Sequence, residues 1–255
     1  MERRKYEHLA KSGGVDRRFE IEKYGLCKRA PGGNQRAYRS AGRRTKAPDH
    51  CSRRRLHGAG CGCSNTKYGL VPQFLRLLAK RMNRNVEWNL VGKFGATLTR
   101  VRYRLLPTLE GSHWDVLILC AGSNDLMAFR PADEKWKKEL KESIEMAKGL
   151  ADKVIVFSSA EVYMVPAFGR SLQNQLKKAT LYQAKVAQEV CEANGAFYVN
   201  QTVGTPHGDT KWFWCSDCFH PSYEGYRVIA NCLINHFSDS RIKELASLGL
   251  KDCKD

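Results

Sequence analysis

No run of apolar residues in this 255-residue chain approaches the roughly 20 needed to cross a bilayer as a helix. A helical membrane span is therefore not expected. The opening Met1-Glu-Arg-Arg-Lys is followed by no apolar stretch of the kind that makes a secretory signal, so a cytoplasmic location is expected. Without a secretory route, a disulfide framework is disfavoured for the ten cysteines. Residues 1–60 also lack a sustained helical period or strand alternation. They carry 17 basic and 6 acidic residues, against 26 and 20 in the remainder. This composition predicts a basic, disordered tail over 1–60 and one globular domain over 61–255. Removing residues 1–58 should then leave stability unchanged. A basic tail can grip phosphate backbones, but a solvated tail explains the composition equally well, and nucleic-acid binding is not expected.

Cys120, Cys191 and Cys232 fall in apolar patterns and read as small buried hydrophobes. Cys61-x-Cys63 and Cys215-x-x-Cys218 could together offer four thiolates to zinc. The first pair is tighter than the usual spacing, and no stoichiometric metal is expected.

From Gly69 onward the pattern is regular. Apolar residues Phe74, Leu75, Leu77, Leu78 and Met82 share one face of a helix over 72–82, with Pro72 at its start. Residues 86–91 alternate and read as a strand. Residues 97–106 read as a helix, and 114–120 as a near-continuous apolar strand buried on both faces. Residues 133–150 form an amphipathic helix with Trp136, Leu140, Ile144 and Ala147 inward. A strand follows over 153–157, a long helix over 171–194 with Gly195 as its C′ residue, a strand over 196–199, and a last helix over 223–237. Strand and helix alternate, which implies a parallel sheet with helices on both faces. Ligands in such sheets bind at the carboxyl ends of the strands.

The polar residues of interest fall at those ends. Ala121-Gly-Ser-Asn-Asp125 leaves the 114–120 strand directly. Residues 92–97 leave the 86–91 strand, with Gly95 opening a helix. Near the C-terminus stands Asp217-x-x-His220-Pro221, on a loop that enters a helix. A carboxylate beside an imidazole fixes its tautomer and stabilises the imidazolium.

These three segments, in this order, resemble the SGNH hydrolases, the GDSL-like esterase/lipase family. That family carries a G-x-N-D motif, a glycine after the preceding strand and a late D-x-x-H. The resemblance spans residues 61–237. It implies a flavodoxin-like three-layer α/β/α sandwich with a parallel sheet, and a serine hydrolase cleaving an ester, O-acyl or thioester, without metal or cofactor. By the same resemblance His220 is the general base, Asp217 orients it, and Gly95 and Asn124 line the oxyanion hole. A small-molecule ester substrate and a monomeric protein are expected.

The family's first motif, G-D-S after an apolar strand, is altered here. Gly62-Cys63-Ser64 puts Ser64 in the nucleophile's place, with Cys63 for the aspartate. The sequence upstream, Arg53-Arg-Arg-Leu-His-Gly-Ala-Gly60, is too charged to read as a buried parallel strand, so the first strand is expected to be missing or degraded. Two rival readings follow: a catalytically inactive SGNH-like interaction domain, and a zinc-stabilised nucleic-acid-binding protein built on the tail and the four cysteines.

Overall fold

The computed structural model describes residues 54–59 by their backbone, and residues 69–201 and 210–248 in full. The tail over 1–53, Cys61, Cys63 and Ser64 lie outside the described residues.

Five parallel strands form one sheet in the order β2-β1-β3-β4-β5. They are β1 (Arg54–Ala59), β2 (Val86–Val91), β3 (Trp114–Cys120), β4 (Ala151–Phe157) and β5 (Phe197–Val199). The expectation of a missing first strand is corrected: β1 lies at the interior of the sheet. It pairs with β2 from Arg54 to Ala59 and with β3 from Leu56 to Ala59. The physical reason is visible in the register. Arg54 and Arg55 extend beyond the ladder with β3, so only Leu-His-Gly-Ala is flanked by strands on both edges. The two arginines of the strand thus stand at its start, outside the ladder with β3. Five of the six residues of β1 fall within 1–58, so removing this stretch takes away a strand of the sheet and is expected to lower the melting temperature.

The helices are α1 (Leu70–Met82), α2 (Leu98–Arg100), α3 (Ser123–Met127), α4 (Glu134–Leu150), α5 (Arg170–Ala193), α6 (Tyr223–Asn235) and α7 (Asp239–Ser247). They cover both faces of the sheet. Side chains alternate along each strand, and the core divides accordingly. Leu117, Leu119, Val154 and Val156 pack with Trp136, Leu140, Ile144 and Ala147 of α4 and with Ala187 and Cys191 of α5. Val116, Ile118, Ile155 and Phe157 face the other way, onto Phe74 and Leu78 of α1, Ala230 and Leu233 of α6, and Leu245 of α7. Phe74 sits edge-on to Phe157 at 5.0 Å, and Phe237 lies 5.4 Å from Phe74 and 5.0 Å from Phe197. These rings fasten α1 and the end of α6 to the sheet. The result is the α/β/α sandwich, and its strand order is the flavodoxin-like one.

Caps fix where the helices begin. Asp133 accepts from Trp136 N, Ser222 from Gly225 N and Ser238 from Arg241 N. Gly195 follows α5 with φ +67°, as a C′ residue should. The expected helix over 97–106 is instead three pieces: α2, a π-helical turn over Val101–Leu105 and a 3₁₀ turn over Leu106–Leu109. Pro107, without an N–H, cannot extend an α-helical ladder. Among the described residues no helix is long and apolar enough to cross a membrane.

Gly225, in the first turn of α6, has no room for a side chain. A Cβ there would lie 2.2 Å from the Phe213 carbonyl oxygen. Since that oxygen belongs to the backbone, relief requires α6 to shift. Gly225→Ala should cost about 1–3 kcal/mol or more, as overpacking does, and a thermal melt indistinguishable from the parent would show that the loop before α6 yields freely.

Candidate active site

The loop after β2 touches both the turn after β3, through Asn124 and Ala96, and the loop before α6, through Phe94 and His220. Strand β3 ends at Cys120, and the chain turns sharply at Gly122, whose φ is +112°. A Cβ at this position would approach the Gln183 side chain to 2.7 Å, so both conformation and space select glycine. The turn sets Asn124 and Asp125 on the short helix α3. Asn124 Nδ2 donates to the Ala96 carbonyl at 2.9 Å. Asp125, fully buried, accepts from Leu98 N through Oδ2 at 2.9 Å and from Arg130 through Oδ1 at 3.1 Å. Consecutive side chains thus clamp the loop after β2 on either side of Thr97. That loop carries Gly95 in the left-handed region at φ +67°. Burial pushes the Asp125 carboxyl above its ordinary range, against the opposing pull of the Leu98 amide and the Arg130 guanidinium.

The second half of the site is a tight loop held at both ends. Trp214 bridges Pro221, Cys215 N donates to the His220 carbonyl at 2.8 Å, and Ser222 N donates to the Phe213 carbonyl at 2.7 Å. Within it, Asp217 Oδ1 accepts from Phe219 N at 2.9 Å and His220 N at 3.0 Å, while Oδ2 lies 2.7 Å from His220 Nδ1. An ionised carboxylate can only accept, so Nδ1 carries the proton and the other ring nitrogen is left with a lone pair. Burial pushes the Asp217 pKa up. The His220 ring, the two backbone N–H groups and the imidazole's charge outweigh that and hold it below the ordinary aspartate value.

The two halves are adjacent. The Phe94 ring, next to Gly95 in sequence, lies 6.3 Å from the His220 ring, and Phe219 stands 4.8 Å from it on its own loop. The structure therefore brings Gly95, Asn124, Asp217 and His220, all singled out from the sequence, to one end of the sheet. Ser64 lies outside the described residues, five positions beyond the end of β1. Three polar residues were not anticipated. Arg130, Glu139 and Thr99 form a network with Asp125: Thr99 Oγ1 donates to Glu139 Oε2 at 2.7 Å, and Arg130 reaches Thr99 Oγ1 at 2.7 Å and Glu139 Oε2 at 3.4 Å. One signal for it was present, since Asp125 stands in the same motif as Asn124. Among the described residues no group of three or more His, Cys, Asp or Glu is arranged to hold a metal ion.

A comparison with curated protein sequences finds no significant match. Solved structures do resemble the chain. An α/β hydrolase from the metagenome of Lake Arreo, Spain, is 18% identical, with a TM-score of 0.57 over 75% of this chain and 96% of its own. A GDSL-like lipase from Parabacteroides merdae is 15% identical, with a TM-score of 0.58 over 76% and 97%. An acetylxylan esterase from Geobacillus stearothermophilus, a catalytic mutant, is 14% identical, with a TM-score of 0.51 over 72% and 93%. At these identities the likeness is one of fold. The family model for the GDSL-like lipase/acylhydrolase family matches residues 57–228, from within β1 into α6, and the chain belongs to that family.

Proposed function

We propose that the protein is a serine hydrolase that cleaves an ester, O-acyl or thioester, through an acyl-enzyme. The observation that carries this reading is the Asp217–His220 pair, 2.7 Å apart, beside a loop held in place by Asn124. Ser64 Oγ attacks the acyl carbon while the free ring nitrogen of His220 takes its proton. The C=O π bond opens, and the resulting oxyanion accepts from the Gly95 N–H, the Ser64 N–H and the Asn124 amide. One Asn124 N–H is committed to Ala96, and the amide has a second. On collapse the C–O or C–S bond to the leaving group breaks, and His220 protonates the departing atom. Water then repeats the sequence on the acyl-enzyme, regenerating Ser64 and releasing the acid. The low pKa of Asp217 suits its part, which is to remain an anion beside the imidazolium.

Cys63, where the family has aspartate, favours a second reading, an inactive domain that binds without turning over. The full-length protein incubated with p-nitrophenyl acetate and, separately, with a fluorophosphonate probe decides between them. Release of nitrophenolate and a phosphonyl adduct mapped to Ser64 are expected. Neither turnover nor adduct would leave the inactive binding domain as the reading.

A further inference from the structure

Arg130 lies outside every motif that identifies the family, yet it occupies the centre of the network behind the oxyanion loop. Its backbone folds back to reach there. Phe129 adopts φ +53°, a conformation uncommon for an aromatic residue, and Arg130 N donates to the Asp125 carbonyl at 2.9 Å. The guanidinium then serves three acceptors on three elements: Asp125 Oδ1 on α3, Thr99 Oγ1 on α2 and Glu139 Oε2 on α4. The side chains of Asp125 and Glu139 are 0% and 6% exposed, and that of Arg130 is 30% exposed. Two buried carboxylates share one cation, and each needs it.

We propose that Arg130 is a positioning residue for the ester-hydrolysing site, holding the loop that carries Gly95 through Asp125 and Thr99. The proposal rests on the function given above. The path is short: Arg130 keeps Asp125 in place, Asp125 accepts from Leu98 N, and Leu98 stands three residues beyond Gly95. The charged groups facing Asp125 are Arg130, from the turn after α3, and Glu139, from α4. From α2 the Leu98 N–H faces Asp125, while the Thr99 hydroxyl meets Arg130 and Glu139. Removing the guanidinium leaves burial and Glu139 both favouring protonation of Asp125, and a protonated carboxyl accepts more weakly than a carboxylate.

The test uses the full chain and the variants Arg130→Gln, Arg130→Lys and Glu139→Gln, with kcat and KM on p-nitrophenyl acetate measured across pH. Amide hydrogen exchange over residues 94–99 is followed in parallel. Arg130→Gln is expected to lower kcat about 10–10²-fold with KM within about threefold, the pattern of a lost transition-state interaction. The acid limb of kcat/KM should move to higher pH, and exchange over 94–99 should speed up. Arg130→Lys should restore part of kcat, because a point charge replaces the fork but cannot reach all three acceptors. Glu139→Gln should not move the acid limb upward, since it removes the repelling charge. A wild-type kcat, limb and exchange rate in Arg130→Gln, or a rise in KM alone, overturns the proposal. Should Arg130→Gln fail to fold, Arg130→Lys decides alone, and wild-type kcat and exchange in it would overturn the idea equally. Should the parent hydrolyse nothing, the function fails by itself, and the exchange rates still report whether Arg130 holds the loop.

Discussion

His220→Ala is expected to abolish turnover, lowering kcat by about 10⁴–10⁶-fold while the protein stays folded. The side chain is 33% exposed and its main partner is Asp217, so its loss leaves no cavity in the core. Asp217→Asn should cost about 10³–10⁴-fold, because an amide facing Nδ1 no longer selects the tautomer that leaves the other nitrogen basic. The double variant should be little worse than His220→Ala, since the two act as one unit. Steady-state hydrolysis of p-nitrophenyl acetate measures all three. Losses that multiplied in the double variant would mean that Asp217 acts elsewhere. The acid side has a definite sign. With its folded pKa below the ordinary value, Asp217 contributes stability that is fully present above about pH 4 and lost as pH falls through the lower folded value.

Asn124→Ala should lower kcat by about 10²–10³-fold, the usual effect of deleting one oxyanion donor. Two losses combine. The amide that would meet the oxyanion is gone, and so is the hydrogen bond to Ala96. Asp125 still holds Leu98, so the loop is loosened at one point and retained at the other. Circular dichroism should be unchanged. An unaltered kcat would show that the amide faces away from the reacting carbonyl.

Much of this was legible in the sequence, for reasons that differ by element. Strands β2 and β3 are legible because alternation in one sets Val86, Trp88 and Leu90 against the same core cluster, and the unbroken apolar run of the other matches its burial from Val116 to Cys120. The 133–150 helix could be read because its inward residues keep a 3.6-residue period and Asp133 caps it. The motif residues could be read because strand ends are where a parallel sheet exposes side chains. Strand β1 escapes the sequence because its arginines argue against a buried strand, whereas pairing on both edges involves only its last four residues. Helix α7 was missed for brevity: its anchors are Ile242 and Leu245, too few to set a period. Arg130 was invisible because its role depends on a backward turn at Phe129 and on a partner on α4, which no local pattern announces.

The place of β1 also bears on how the chain reaches this fold. Among the described residues, the first strand in sequence is the one that joins β2 to the rest, since β2 has no other neighbour among the described strands. Its ladder with β3 spans about 60 residues of sequence, and separations of that size slow folding through loop-closure entropy. Until β3 has formed, β1 and β2 make at most a two-stranded ribbon, too small to persist alone. The sheet's two halves are then committed together, late, by the segment whose charges made it hardest to recognise. A strand made before its partners acts as a kinetic keystone: it waits for strands that follow it in the chain, with an open edge exposed meanwhile to other chains.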